Sequence, residues 1–358
     1  MTFSPPSFII RSVKNLWIKL LLACWRREKN CRDTHPRLLI VSTTGLGDSL
    51  WGTPAVRALR KKYPNAYIGL LTSPMGEQVF RHNPNLNALF VIPSSPLFFF
   101  PKLVRLLRAE RFDTAYIFHT SQRVVLPAVF LGGPSQIVGT RGINKGLDSL
   151  LTSSFPQGEI HEIERRLQIV GCVDPLPHME LFLTEEENAV AFDYLGEERP
   201  LIGLHPGAQN QFKQWEPQSF VALGARLAKE KGAKILVTGS ASEKGLAKKI
   251  ARDIPGAVSV AGKLAIRPLA ALLEKLDCLI TNDTGPLHLA IAMGTPTCSL
   301  FAPTDSKICG PYQVSEAVVI QKSQSCLPCL RKKCLSPFCL RQISPSMVYE
   351  RIDAHFFS

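Results

Sequence analysis

Short apolar runs alternate with amphipathic stretches along most of this chain. Arg37 to Ser42, with the apolar run Leu38 to Val41 at its centre, predicts a buried strand. It meets the turn Thr43-Thr44-Gly45-Leu46-Gly47, and a helical pattern carrying Pro54, Val56 and Leu59 follows as far as Tyr63-Pro64. Strands are then expected at Tyr67 to Thr72, Ala88 to Ile92 and Thr114 to Phe118, with helices at Pro74 to Asn83 and Pro101 to Glu110. From Asn144 to Pro177 the periodicity loosens, and the acidic run from Thr184 to Glu187 opens another helix.

A second series follows. Strands are expected at Leu201 to His205, Ala233 to Thr238, Ser259 to Val260, Cys278 to Thr281 and Thr297 to Phe301. Helices are expected between them at Pro217 to Lys231, Glu243 to Asp253, Ile266 to Leu276 and Pro286 to Met293. Gly232 and Gly294 stand where two of those helices should stop.

Alternation of this kind predicts parallel βα units. The expected fold class is therefore α/β, with two doubly wound, Rossmann-like domains facing a cleft. A length of 358 residues agrees, because it exceeds what one ordinary core organises. The expected division is a leader over 1–36, an N-terminal Rossmann-like domain over 37–185 and a C-terminal Rossmann-like domain over 186–344. Residues 345–358 are expected to form a C-terminal helix packing back on the N-terminal domain.

The chain carries a formal charge of +13, and residues 1–37 alone hold a surplus of six positive charges. That leader is amphipathic: Ile9, Ile10, Val13, Leu16, Trp17, Leu20, Leu21 and Cys24 share one helical arc, while Arg11, Lys14 and Lys19 lie elsewhere. Lys14 and Lys19 break the run of about 20 apolar residues that a spanning helix needs. The pattern suits a helix lying on an anionic inner-leaflet surface, or one packed on its own protein. Ten cysteines without a convincing secretory signal point to a reducing compartment. Cys326, Cys329, Cys334 and Cys339 form a C-x2-C-x4-C-x4-C cluster. Four thiolates can build a tetrahedral structural metal site, while reduced thiols or a disulfide are the alternatives.

Candidate chemistry collects where strands end, which is where doubly wound sheets bind ligands. Asn282-Asp283-Thr284-Gly285-Pro286-Leu287-His288 joins a strand to a helix. Asp283 or Thr284 can cap that helix, Gly285 permits close approach, and Pro286 suits its first turn. The helix N-terminus can seat a phosphate, with His288 as an added donor. Neighbouring strand ends offer His205, Gly207 and Lys213, then Gly239 and Glu243. A lysine and a helix end suit a diphosphate, and a carboxylate suits ribose hydroxyls. In the first half, Gly45-Leu46-Gly47-Asp48 follows the first strand. It lacks the third glycine of a dinucleotide fingerprint and the Gly-Lys-Ser/Thr of a Walker loop. Asp48 can be a base or a helix-start residue.

These motifs resemble those of the ADP-heptose:lipopolysaccharide heptosyltransferases, glycosyltransferase family 9. The similarity rests on Thr44-Gly45-Leu46-Gly47-Asp48 with Thr53-Pro54-Ala55, His205-Pro206-Gly207, Lys213-Gln214-Trp215, Gly239-Ser240 with Glu243, and Asn282 through His288. It runs in order over roughly residues 37–345, including the cysteine-rich tail. The resemblance implies a GT-B fold and inverting, metal-independent sugar transfer needing no cofactor. It implies a donor that is ADP-heptose or a similar nucleotide-diphosphate sugar, and a lipopolysaccharide-type glycolipid acceptor. Asp48 corresponds to the base, Gly45 and Gly47 to the acceptor side. Lys213, Thr284, Gly285 and His288 correspond to phosphate contacts and Glu243 to the ribose contact. Asp283, Pro286, His205, Gly207 and Gly239 fall in the same donor motifs.

An acidic acceptor on a membrane lipid fits the surplus charge, with Arg57, Arg60, Lys61, Lys62, Arg123 and Arg141 as candidate contacts. The implied location is cytoplasmic, peripherally associated with the inner membrane, with no nucleic-acid partner. The rival readings are a same-family transferase with another sugar or a protein acceptor, and a nucleotide-sugar epimerase of similar shape.

Overall fold

The computed structural model describes residues 35–93, 98–120, 122–192, 194, 199–302, 304–323, 326, 329, 334 and 338–357. The expected leader, 1–36, lies outside the described residues except for its last two. The chain divides into two compact units. The first holds the described residues up to Glu159 together with Ile163–Pro175, and the second holds Ile160–Glu162 and Leu176 onward.

The first unit is built on one six-stranded parallel sheet of β1 (Arg37–Ser42), β2 (Tyr67–Thr72), β3 (Ala88–Val91), β4 (Thr114–His119), β5 (Gln136–Thr140) and β6 (Ser153–Phe155). The strand order is β3-β2-β1-β4-β5-β6. Alternate residues of β1 and β4, such as Leu39, Val41, Ala115 and Ile117, pack with Leu103 and Leu107 of the helix Phe100–Glu110 and with Val125 and Val129 of the helix Val125–Leu131. Burial on both faces explains why the middles of these strands, Leu38–Val41 and Ala115–Phe118, are largely apolar.

The second unit repeats the plan with β7 (Leu201–His205), β8 (Lys234–Val237), β9 (Val258–Ser259), β10 (Cys278–Asn282), β11 (Thr297–Phe301) and β12 (Ala317–Gln321). Its order is β12-β11-β10-β7-β8-β9, again all parallel. The helix Pro217–Lys231 ends at Gly232 with φ at +63°, a left-handed cap that glycine accepts without strain. Gly294, at φ +76°, follows the helix Gly285–Ala292 in the same conformation.

Two boundaries differ from expectation. The second unit begins about ten residues before the expected 185/186 border, because Met179 and Leu181 are already buried and the carbonyl of Phe182 accepts from Arg267. Arg267, itself buried, also donates to both oxygens of Glu187, which ties the acidic helix Glu185–Phe192 to this unit. The terminal helix Pro345–Ile352 does not return to the first unit as expected. Val348, Tyr349 and Ile352 complete the core of the second, beside Phe220 and Leu223 of the helix Pro217–Lys231. Arg226 lies 3.7 Å over the Tyr349 ring, and Trp215 Nε1 donates to the carbonyl of Ile343 at 2.8 Å.

Candidate active site

In a 3-2-1-4-5-6 parallel sheet, the direction in which successive strands are added reverses between the first and fourth strands, and the loops leaving their carboxyl ends diverge. In the first unit these are the loops after β1 and β4, joined where Thr43 N–H donates to the carbonyl of His119 at 3.2 Å. The loop after β1 becomes the short helix Leu46–Leu50, with Gly45 as N-cap and no side-chain cap. Gly47 lies inside that turn, its carbonyl accepting from Trp51 N–H. Asp48 sits in the first turn with its side chain one-third exposed, and Oδ1 lies 3.5 Å from Nη2 of the fully buried Arg166. The carboxylate is therefore not a helix cap. It has one side in the protein and the other in solvent at the divergence of the loops.

Several basic residues expected to meet an acidic acceptor hold local structure instead. Arg57 pairs with Asp174 at 2.8 Å. Arg60 donates to the carbonyls of Pro64, Ala66 and Asn85 and to Asn87. Lys62 donates to the carbonyl of Gly171 at 2.8 Å.

In the second unit the diverging loops follow β7 and β10. Asn282, the last residue of β10, braces them: its Nδ2 donates to the carbonyls of Pro206 at 2.9 Å and Gly207 at 3.3 Å, while its Oδ1 accepts from Trp215 N–H at 3.0 Å. One buried amide thus sets the His205-Pro206-Gly207 loop and the segment after Lys213 against the start of the next helix. Lys213 ends a short 3-10 turn and is ion-paired to Asp283. Thr304 Oγ1 donates to the same Asp283 oxygen at 2.5 Å.

Thr284 is the N-cap of the helix Gly285–Ala292 and supplies no side-chain hydrogen bond to it, and Pro286 stands in the first turn. The positive end of that helix lies next in sequence to Asp283, whose carboxylate is engaged with Lys213. His288 is buried within the helix.

His205 is buried, and its Nδ1 lies 2.9 Å from Thr238 Oγ1, linking the ends of β7 and β8. Burial pushes its pKa down to about 4, against a smaller upward pull from Glu243. The ring is therefore neutral at pH 7 and adds no charge to the site. Glu243 closes a capping box, its Oε2 accepting from Ser240 N–H at 2.8 Å and Ser240 Oγ at 2.7 Å. The remaining oxygen faces Gly207, where a β-carbon would stand 2.1 Å from Oε1. Gly239 lies under the same side chain, with a β-carbon placed there 3.3 Å from that of Glu243.

A metal at the cysteine cluster finds no support among the described residues. Among the described residues, which include Cys326, Cys329, Cys334 and Cys339, no group of three or more His, Cys, Asp or Glu side chains is placed to hold an ion. Cys339 is buried in the core, and burial pushes its thiol up. Among the described residues, no helix is long and apolar enough to cross a membrane.

Three contributors were not foreseen from the sequence. Asn282 was visible as a member of its motif, but its bracing role was not. Thr304 and Arg166 carry no local signal, since each acts on a residue distant in the chain.

Residues 101–338 match the family model Glycosyltransferase family 9 (heptosyltransferase). The chain is 28% identical over 287 residues to lipopolysaccharide heptosyltransferase 3 of Escherichia coli K12, covering 74% of this chain and 82% of that protein. Among solved structures, the glycosyl transferase family 9 protein of Veillonella parvula superposes with a TM-score of 0.80 at 21% identity, covering 91% of this chain and 99% of that one. The E. coli ADP-heptose lps heptosyltransferase II superposes with a TM-score of 0.73 at 21% identity, covering 89% and 98%. With the two doubly wound sheets, these likenesses give the expected GT-B fold.

Proposed function

The chain belongs to glycosyltransferase family 9, and we propose that it moves heptose from ADP-heptose to a lipopolysaccharide core acceptor, with inversion at the anomeric carbon. It is a glycosyltransferase by family. The choice of donor and acceptor is supported by the names of the relatives, a lipopolysaccharide heptosyltransferase and an ADP-heptose lps heptosyltransferase.

The observation that carries the reading is the convergence of Lys213, the helix Gly285–Ala292 and Glu243 at the carboxyl ends of β7, β8 and β10. Lys213 and the helix N-terminus would meet the diphosphate, and Glu243 Oε1 would hold ribose hydroxyls. Thr284, Gly285, Pro286 and His288 belong to that helix start. Asp283 orients the lysine, and His205, Gly207 and Gly239 shape the floor beside Glu243.

On the acceptor side, Gly45 and Gly47 leave room next to Asp48. The acceptor oxygen attacks the anomeric carbon from the face opposite ADP, and the new C–O bond forms as the bond to the diphosphate breaks. The electron pair leaves on ADP, and the hydroxyl proton passes to Asp48. An ordinary carboxylate is a weak base, but it suffices when the hydroxyl acidifies only as its bond forms. We read the transfer as metal-independent because a lysine and a helix N-terminus supply the positive charge that the leaving group needs.

The reaction is placed on the cytoplasmic side of the inner membrane, with the enzyme peripheral to an anionic surface. A thermal-shift panel of ADP, UDP, GDP and their sugars tests the donor, since a ligand stabilises by RT ln(1+[L]/Kd). Selective stabilisation by ADP species, with ADP release on adding a truncated lipopolysaccharide core, is the expected result. Selectivity for UDP or GDP would overturn the donor assignment.

A further inference from the structure

We propose that Arg166 is the positioning residue for Asp48, fixing the carboxylate from beneath so that its exposed side meets the acceptor hydroxyl. The inference rests on reading Asp48 as the base. Arg166 lies in the helix Glu162–Val170 with no exposed surface, and its Nη2 is 3.5 Å from Asp48 Oδ1. The same guanidinium lies over the indole of Trp51, its carbon 5.5 Å from the ring centroid. Asp48 and Trp51 are three residues apart on one helical turn, so one buried side chain grips both ends of that turn.

A cation taken wholly out of water is costly unless anionic or polar groups face it, and the Asp48 carboxylate is one such group. The contact is a single one, Nη2 of the arginine fork facing Oδ1 at 3.5 Å, an ion pair rather than a two-point hydrogen-bonded clamp. The adjacent Arg165 serves a different purpose, donating to the carbonyl of Gly158 at 2.9 Å. The short helix at Asp48 has no side-chain cap of its own, and local hydrogen bonds such as Ser49 Oγ to the Gly45 carbonyl hold its backbone, so the contact with Arg166 acts on the carboxylate itself.

The test is a double-mutant cycle in the full chain, with ADP-heptose and a truncated lipopolysaccharide core as substrates. Arg166→Met should lower kcat by about ten- to a hundredfold while ADP affinity stays unchanged, the loss typical of a misplaced reacting group. In an Asp48→Asn background the same substitution should cost nothing further, because there is no longer a base to position. A merely structural role would cost the same in both backgrounds, and additive losses would overturn the inference. Turnover untouched by Asp48→Asn would instead sink the base assignment, and this inference with it. If Arg166→Met does not fold, Arg166→Lys enters the same cycle, because it keeps the charge and removes the fork.

Discussion

Lys213 is ion-paired to Asp283, the residue that precedes Thr284, the N-cap of the helix Gly285–Ala292. A carboxylate beside an expected phosphate site would repel the ligand if it stood alone. Paired with a lysine and accepting from Thr304, it instead holds the ammonium in one place, so less side-chain freedom is lost when a phosphate arrives.

Lys213→Ala should therefore weaken ADP by about 1.5–3 kcal/mol, roughly ten- to a hundredfold in Kd, the range of a charge-assisted hydrogen bond. Isothermal titration calorimetry with ADP reads this directly. An unchanged Kd would remove Lys213 from the donor site.

Asp48→Asn should lower kcat by about 10²–10⁴ and leave ADP binding intact, the usual range for loss of a general base. Steady-state kinetics beside ADP calorimetry separates the two. An equal loss of ADP affinity would make Asp48 structural.

Gly207→Ala places a methyl group where Glu243 Oε1 now lies. The glutamate must swing away, which breaks the capping box with Ser240 and any ribose contact, at a cost of about 1–3 kcal/mol by overpacking. Both the melting temperature and ADP affinity should fall; retention of both would show that the loop yields.

His205 gives a pH signature. Its ring is held near pKa 4 when folded and titrates near 6.5 when unfolded. Below pH 6.5 the unfolded chain takes up a proton that the folded one refuses. Stability is therefore unaffected above 6.5 and falls as the pH drops toward 4, by up to about 3 kcal/mol. His205→Gln should flatten that segment in urea midpoints measured from pH 7 to 4.5. An unchanged slope would assign the dependence to other groups.

Arg267 and Glu187 form the buried tie between the acidic helix and the second unit. Glu187→Ala leaves the guanidinium without its carboxylate and should destabilise by about 3–5 kcal/mol, as broken buried pairs do. Chemical denaturation of the second unit's transition would register this, and a change below 1 kcal/mol would contradict the burial argument.

The sequence displayed most of this fold because strands buried on both faces carry unbroken apolar runs, as Leu38–Val41 of β1, Leu201–Leu204 of β7 and Cys278–Ile280 of β10 do. It hid β5 and β6 because Gln136-Ile137-Val138-Gly139-Thr140 and Ser153-Ser154-Phe155 are short and partly polar. Gly139 occurs within a strand for a tertiary reason: a β-carbon there would lie 3.2 Å from the Ile117 side chain on β4. The site divided similarly. Lys213, Glu243, Asp283 and Asp48 were legible because each sits at a strand end or helix start. Arg166, Thr304 and the bracing by Asn282 were not, since their roles depend on side chains meeting across long chain separations. The terminal helix was misplaced for the same reason: its apolar face names no partner until Phe220 and Leu223 are seen beside it.

Both sheets carry the same strand order, and each leaves its functional loops at the boundary between its first and fourth strands. Residues in those loops lie beyond the strand ladders except at their roots, where Thr43 N–H donates to the carbonyl of His119 and Asp283 N–H to that of Leu300. Beyond those roots, mutation can rewrite the loops after β1 and β4 without loosening a strand pair, and can do the same after β7 and β10 on its own schedule. A chain organised this way can change the loops of one sheet and of the other in separate evolutionary steps, each testable by exchanging one set of loops between relatives.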